Sequence, residues 1–284
     1  MATIKDVAAM AGVSFTTVSH VVNNSRPVSA DVRAKVEGAI RELNYVPSAV
    51  ARSLKARATA TIGLVVPNST NPYFAELARG IEDQCAANGY CVFFCNSDDD
   101  PVKQRSYLRV LQEKRIDGLI VANLRTAEMA HLQQLRASGV PLVVFGCQLP
   151  DAEGFHTMGD DTWRSARLAV DHLLDLGHRQ VAFVNYAQPE FHNVNQRERG
   201  GRAALQARGI EPDAAWLAHA DISAESGYLA TRRLLARGVP FTALFAGNDT
   251  IAFGALRALR EAGRRVPQDV AVVGYDDIPL APYA

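Results

Sequence analysis

Residues 3–23 read TIKDVAAMAGVSFTTVSHVVN, and this stretch decides the fold of the N-terminal part of the chain. Apolar side chains recur at helical spacing up to Gly12, which interrupts the pattern shortly before Ser14, a residue type that caps helices. A second helix is expected over about residues 15–23. Its buried side is expected to consist of Val18, Val21 and Val22. Two short helices joined by a glycine turn, the second polar on its outer face, are typical of a helix-turn-helix.

A third amphipathic helix is expected to begin near Ser29. Its apolar stripe consists of Val32, Val36, Ala39, Ile40 and Leu43. Such a stripe supplies the core that neither of the first two helices can build alone. The alternative is an ordinary three-helix bundle whose outer face is merely solvated.

Charge is distributed unevenly along the chain, although its 30 basic and 30 acidic residues cancel overall. Residues 1–61 contain eight basic and four acidic side chains, so this segment carries +4 and the remainder carries −4. A basic head on a mildly acidic body is compatible with binding to nucleic acid. With 48% hydrophobic residues, the chain also has enough apolar material for large folded cores.

The segment after the third helix, NYVPSAVARSLK, ends at Lys55. Pro47 and Ser48 suit a helix start, but so short a helix is not stable alone in water. Leu54 beside Lys55 is an unusual pair to expose, unless the leucine wedges into a base step while the lysine lies in the minor groove. The alternative is a linker helix docked on the body.

The motifs TIKDVAAMAGVS, TTVSHVVN and NYVPSAVARSLK, in this order and spacing over residues 2–55, resemble the head of the lactose-repressor (LacI) family of transcription regulators. The resemblance continues through STNPYFAELARGIE, EKRIDGLIV, FAGNDTIAFGAL and RVPQDVAVVGYDDI, so it covers nearly the whole chain. It is strongest to the purine- and ribose-repressor members. It implies a homodimer that binds a palindromic double-stranded DNA operator and responds to a small-molecule effector.

By the same resemblance, DNA contacts are expected from nine residues of the head and hinge. They are Thr3, Ser14, Phe15, Thr16, Thr17, His20, Asn24, Leu54 and Lys55. Phe15, Thr16 and His20 are expected to face base edges. Phe15 departs from the smaller polar residue of similar proteins and is suited to contact a thymine methyl group.

The body alternates apolar runs with amphipathic segments, which predicts α/β architecture with doubly wound parallel sheets. Strands are expected at 62–66, 91–95, 118–122 and 141–145, and then, after a helix over 161–176, at 180–184, 242–246 and 270–274. Two such series predict two lobes of a body like the periplasmic binding proteins, at about 62–160 and 161–284. The predicted domains are therefore a helix-turn-helix domain (1–46), a hinge helix and linker (47–61) and an effector-binding domain (62–284). Ligands of such sheets bind at the carboxyl ends of the strands, here in a cleft between the lobes.

Several polar and aromatic residues follow predicted strand ends and are candidates for effector binding. They are Tyr73, Phe74, Arg197, Asn248, Asp249 and Asp276. Their chemistry suits a polyol, because carboxylates and amides exchange hydrogen bonds with hydroxyls, Arg forks across two oxygens, and an aromatic face such as that of Phe74 covers a sugar ring. On the residues alone, some of them, Asp249 above all, are equally compatible with helix caps, and Arg197 with a surface charge.

The resemblance implies a sugar effector, with ribose as the first candidate, because sugar-responsive members bind their effectors at the positions of Asn248, Asp249 and Asp276. Where purine repressors grip the base with an arginine and an aromatic residue, this chain has Phe191 and Ile222, and Gly146-Cys147 replaces an aspartate-tryptophan pair. A purine- or nucleoside-responsive repressor is the alternative. The alternative of another class is a cytosolic sugar-binding protein whose basic head makes some other contact.

Other function classes lack their motifs. There is no GxSxG, GxxxxGK[ST], HExxH or GxGxxG sequence at the appropriate place, so neither an enzyme nor a cofactor is expected, and no metal site. The acidic run at residues 98–100 is expected to cap a helix rather than bind a cation, and the four cysteines are expected to be buried thiols. No signal peptide is apparent, which favours the cytoplasm. Similar proteins continue past Ala284, so we expect residues 1–284 to lack a strand in each lobe.

Overall fold

The computed structural model describes residues 2–47, 58–122, 129–146, 155–186 and 192–284. The predicted hinge contacts of Leu54 and Lys55 lie outside these residues, as do Cys147 and Phe191. The chain divides into two compact units, Met1–Thr59 and Ala60–Ala284.

The first unit contains the three predicted helices, α1 (Ile4–Ala11), α2 (Phe15–Asn23) and α3 (Ala30–Glu42). Gly12 ends α1 in the left-handed conformation at φ 65°, which a side chain would disfavour, and Ser14 then caps α2. The three helices share a core that includes Val7, Val18, Val21, Val36 and Ala39. The helix-turn-helix fold predicted from the sequence is confirmed.

The second unit begins with a five-stranded parallel sheet and its helices. In chain order these are β1 (Thr61–Val66), α4 (Pro72–Ala87), β2 (Cys91–Asn96), α5 (Pro101–Glu113), β3 (Gly118–Ala122), α6 (Met129–Ala137), β4 (Leu142–Phe145) and β5 (His156–Met158). The strand order is β2-β1-β3-β4-β5, with Thr61 opposite Cys91 and Ile62 opposite Gly118. All four predicted strands of this lobe are present, and β5 is an addition.

The second lobe contains a four-stranded parallel sheet. Its elements are α7 (Thr162–Asp175), β6 (Val181–Tyr186), α8 (His192–Ala207), β7 (Leu217–Ala220), α9 (Ala224–Ala236), β8 (Ala243–Ala246), α10 (Asp249–Glu261) and β9 (Ala271–Val273), with short 3-10 turns at Ala214–Trp216 and Ala281–Tyr283. The strand order is β7-β6-β8-β9. In each sheet the strand order reverses beside the strand that comes first in the chain, β1 or β6. The loops that follow the strands therefore lie at the carboxyl edge of their own sheet.

The thiols and the acidic run are only partly as expected. Cys85 and Cys95 are free and partly buried, but Cys91 is exposed, because it lies on the edge strand β2 and not in the sheet interior. The prediction of buried thiols is therefore wrong for Cys91. Asp100 caps α5 by accepting from the Val102 N–H at 2.8 Å, as expected. Within the described ranges, no cluster of His, Cys, Asp and Glu could hold a metal ion, and no helix is long and apolar enough to cross a membrane.

Candidate functional site

The outer face of α2 carries the side chains expected to meet base edges. Phe15 is 61% exposed, Thr16 is exposed, and Thr17 and His20 are partly exposed. On the opposite face of α2, Val18 and Val21 pack in the core of the three helices, and this packing fixes the orientation of the outer face.

Three other residues predicted to contact DNA lie at the helix ends. Thr3 caps α1, and its hydroxyl and N–H both donate to the Asp6 carboxylate at 2.8 Å. The Ser14 hydroxyl accepts from the Thr17 N–H at 3.1 Å, and Asn24 ends α2 in the left-handed conformation. Thr3 therefore fixes the start of α1, while Ser14 and Asn24 fix where α2 begins and ends.

His20 is oriented by a contact within the head. Its Nδ1 lies 2.9 Å from the Ser25 hydroxyl. Because this bond occupies one ring nitrogen, Nε2 is the ring atom left for a base edge.

In the second lobe, Arg197 on α8 is the centre of a partly buried polar cluster. One terminal nitrogen donates to the Gly247 carbonyl at 2.5 Å and to the Tyr186 hydroxyl at 3.3 Å, while the other lies 3.4 Å from Asp276 Oδ1. The side chains of Arg197 and Asp276 are only 15% and 7% exposed. Arg197 is thus not the surface charge that the sequence left open.

Asp276 is held in an uncommon backbone conformation. Its φ is 103°, a value that a residue with a side chain keeps only when its surroundings enforce it, and Asp277 follows in the left-handed region at φ 57°. Asp249 provides this support, since its N–H donates to the Tyr275 carbonyl at 2.8 Å and its carboxylate accepts from the Ile278 N–H at 2.9 Å.

This arrangement corrects the expected helix cap. Asp249 is the first residue of α10, and the cap is Asn248, whose Oδ1 accepts from the Ile251 N–H at 2.7 Å. The cap falls one residue earlier because the Asp249 carboxylate is engaged by the loop after β9. Burial raises the pKa of Asp249, and the N–H of Ile278 opposes that change.

The two aromatic candidates of the first lobe differ in their surroundings. Phe74 is 3% exposed and packs with Leu64 and Val66 in the lobe core. Tyr73 remains partly exposed and meets Phe74 edge-on, with ring centroids 5.1 Å apart. Burial raises the pKa of Tyr73, and the charge on Asp276 raises it further.

Electrostatics in the cluster favour the neutral form of Asp276. Burial raises the pKa of its carboxyl group to about 7, against the opposing effect of Arg197, and the neighbouring carboxylates of Asp249 and Asp160 add to the rise. A carboxyl group with such a pKa changes its charge near neutral pH.

Three members of this cluster, Tyr186, Tyr275 and Asp160, were not among the residues predicted to bind the effector. Tyr186 ends β6 and contacts Arg197, while Tyr275 directly precedes Asp276. The position of Tyr186 at a predicted strand end was a usable signal. Nothing in the sequence indicated that Asp160, 115 residues earlier, accepts a hydrogen bond from the Tyr275 hydroxyl.

Comparison with known families matches both units. Residues 3–48 match the model of "Bacterial regulatory proteins, lacI family", and residues 59–281 match "Periplasmic binding proteins and sugar binding domain of LacI family". The chain belongs to the LacI family. It is therefore a DNA-binding transcription regulator with a helix-turn-helix head and a two-lobed body.

Individual relatives of this LacI-family chain are similar to it in sequence over most of their length. It is 41% identical to the HTH-type transcriptional repressor PurR of Photobacterium profundum over 100% of this chain and 84% of the relative. It is 40% identical to the ribose operon repressor of Escherichia coli over 100% and 85%. A solved structure of the lac repressor dimer bound to operator and the anti-inducer ONPF superimposes with a TM-score of 0.87 and 32% identity, over 99% of this chain and 84% of the other.

The loop that holds Asp276 offers a test of this part of the LacI-family body. A Cβ added to Gly274 would lie 2.1 Å from Asp249 Oδ1, so Gly274→Ala must displace the carboxylate that binds the Ile278 N–H. Losing a buried hydrogen bond costs about 1–3 kcal/mol, and we expect the free energy of unfolding in urea to fall by that amount.

The matched control is Gly80→Ala, which replaces another glycine of the same body. Gly80 lies on α4, and a Cβ there meets nothing within 4 Å. This variant should unfold at the same or higher urea concentration, with a gain of up to about 1 kcal/mol. A Gly274→Ala variant as stable as the wild type would show that Asp249 does not support the loop.

Proposed function

We propose that the chain is a homodimeric transcription repressor whose operator affinity is set by a small sugar bound beside Arg197 and Asp276, with ribose as the first candidate. The observation that carries this proposal is the buried pair itself. Arg197 Nε has no hydrogen-bond partner among the described residues, although the side chain is only 15% exposed. A buried unpaired donor is costly, and a bound hydroxyl is a group that satisfies it.

The remaining effector contacts follow from the same cluster. We propose that the Tyr73 ring covers the apolar side of the sugar, while Phe74 supports Tyr73 from the core. Asn248 and Asp249 act at one remove, since they fix the start of α10 and the loop of Asp276.

Identity alone does not choose between a sugar and a nucleobase, because the repressor PurR and the ribose operon repressor match this chain almost equally. The choice rests on Phe191, Ile222 and Gly146-Cys147, which replace the groups that purine repressors use for the base. A planar base held by its edge needs polar partners that these positions do not supply.

On the DNA side, we propose that Phe15, Thr16 and His20 contact base edges in the major groove, with Thr3, Ser14, Thr17 and Asn24 near the phosphates. Leu54 and Lys55 are proposed to act in the minor groove at the operator centre. The proposed domains are 1–46, 47–61 and 62–284, and the chain is proposed to act in the cytoplasm without catalysing a reaction.

A calorimetric screen tests the effector. Ribose, other pentoses, hexoses, nucleosides and purines are titrated into the full chain, and ribose or a related sugar is expected to bind while purines do not. Binding of a purine or nucleoside alone would replace the sugar proposal with its alternative. A sugar-binding chain that prefers no DNA sequence in salt titrations would instead be a sugar-binding protein of another class.

The affinity for the sugar should depend on pH, because the ionised Asp276 accepts more hydrogen bonds from hydroxyls than the neutral form. With the pKa of Asp276 at about 7, the carboxylate predominates above neutral pH and the neutral acid below it. We expect affinity to fall about tenfold between about pH 8 and about pH 6, measured by calorimetry.

Asp276→Asn is the control for this titration, because an amide does not change its charge. Its affinity should be weaker and independent of pH over the same interval. The free energy of unfolding should depend on pH in the opposite direction. Folding raises the pKa of the Asp276 carboxyl group, so this group stabilises the protein at low pH, and the contribution is lost as the pH rises through about 7. An unchanged pH dependence in the Asn variant would remove Asp276 from the effector site.

A further inference from the structure

Tyr275 lies between the effector residue Arg197 and the segment that joins the two lobes. The Arg197 guanidinium carbon lies 3.9 Å from the centre of the Tyr275 ring, which is cation–π geometry. The Tyr275 hydroxyl donates to Asp160 Oδ2. One side chain therefore contacts Arg197 with its ring and Asp160 with its hydroxyl.

The position of this ring is fixed by the backbone. Tyr275 follows β9 and precedes Asp276, and its carbonyl accepts from the Asp249 N–H at 2.8 Å. Burial raises the pKa of Tyr275 to about 12, and its hydrogen bond to Asp160 adds to the rise, so the hydroxyl keeps its proton at neutral pH. Asp276 directly follows Tyr275 in the loop that Asp249 supports.

Asp160 occupies the crossover between the lobes. It lies between Met158, the last residue of β5 in the first sheet, and Thr162, the first residue of α7 in the second lobe. Its other carboxylate oxygen accepts from the Thr162 hydroxyl at 3.3 Å. Rotation of one lobe against the other must alter backbone angles in a connecting segment of this kind.

We propose that Tyr275 is a positioning residue for effector response, whose ring orients Arg197 and whose hydroxyl links the occupied site to the crossover at Asp160. The proposal rests on the proposed function, since it assigns a route by which that site acts on lobe arrangement. A ligand changes operator affinity only if it binds two arrangements unequally, and the Tyr275–Asp160 bond is a contact that such arrangements can differ in.

The ring and the hydroxyl can be separated by two substitutions in the full chain, with ribose as the ligand. Tyr275→Phe keeps the ring over Arg197, so the Kd for ribose should stay within about threefold, while the change that ribose causes in operator affinity falls about tenfold. Tyr275→Leu removes both contacts, so the Kd for ribose should also weaken about tenfold or more.

A double-mutant cycle and a control locate the effect. Asp160→Asn should reduce the response as Tyr275→Phe does, and the double variant should be no worse than either. Tyr228→Phe is the matched control. The Tyr228 hydroxyl donates to the Glu261 carboxylate at 2.7 Å, and the Arg257 guanidinium carbon lies 4.5 Å from the centre of the Tyr228 ring. These groups resemble the arrangement around Tyr275 but lie elsewhere in the lobe. Tyr228→Phe should leave both the Kd and the response unchanged.

An NMR measurement on the ligand-free chain tests the contact of Tyr275 with Arg197 separately from the proposed effector. The Tyr275 ring should shift the NMR signal of the Arg197 Nε–H upfield in the wild type and in Tyr275→Phe, and this shift should vanish in Tyr275→Leu. If ribose fails to bind the wild type but the shift behaves as expected, the proposed effector is wrong and the positioning contact stands. A full ribose response in Tyr275→Phe, or an unshifted Arg197 signal in the wild type, overturns the proposal.

Discussion

Replacing Arg197 by Ala should lower the affinity for the effector by at least about 100-fold while operator binding without effector is retained. The substitution removes the guanidinium from the Gly247 carbonyl, the Tyr186 hydroxyl and Asp276. It also leaves a carboxyl group, 7% exposed, without its only cation in the cluster of described groups. Hydrogen bonds to charged groups contribute about 1.5–3 kcal/mol each, and two lost to a sugar account for this factor.

Arg202→Ala is the control for this substitution. Arg202 lies on the same helix, α8, but is about one-third exposed and pairs with Glu198 at 3.4 Å, one helical turn away. Effector affinity should therefore stay within about twofold, since an exposed pair contributes less than about 1 kcal/mol. Calorimetry measures the effector affinity of both variants. An Arg197→Ala variant with wild-type affinity would show that the effector binds elsewhere.

Replacing His20 by Ala should relax the preference for one base pair in each operator half-site by about 1–3 kcal/mol. The Ser25 hydroxyl, 2.9 Å from Nδ1, fixes the ring, so a single nitrogen is presented to the base. The loss should appear as more equal binding to operators that differ at that pair, rather than as weaker binding to all DNA, because phosphate contacts are retained.

Competition between operator variants at fixed salt measures this preference. Lys35→Ala is the control, since Lys35 is an exposed residue of α3 outside the recognition helix, and it should leave base preference unchanged. A His20→Ala variant with the base preference of the wild type would show that His20 does not contact a base edge.

The helices of the head could be predicted because periodicity and caps act locally. The bounds of α2, residues 15–23, follow from Ser14 and the valines that face the core. The buried strands of the body were equally predictable from their apolar runs. Strands β5 and β7 were missed because HTM at 156–158 has a single apolar residue and His219 interrupts LAHA at 217–220, so neither gives an apolar run.

The site was predictable as a set of positions but not as a set of contacts. Arg197 and Asp276 follow strand ends, where parallel sheets place ligand groups. The exchange of roles between Asn248 and Asp249 depends on the positive φ of Asp276, and the contact of Tyr275 with Asp160 joins residues far apart in sequence. Such features follow from the folded backbone, and no local pattern encodes them.

A fluorescence titration of the full chain tests the proposed function most directly. The chain is titrated against a palindromic duplex selected from random DNA, with and without ribose at constant salt. We expect the selected duplex to bind at least about 1,000-fold more tightly than random DNA. We also expect ribose to change that affinity about tenfold or more, within the range of ordinary coupling between sites. Equal affinity for selected and random duplexes, or an operator affinity that responds to a purine and to no sugar, would show that the chain is not a sugar-responsive repressor.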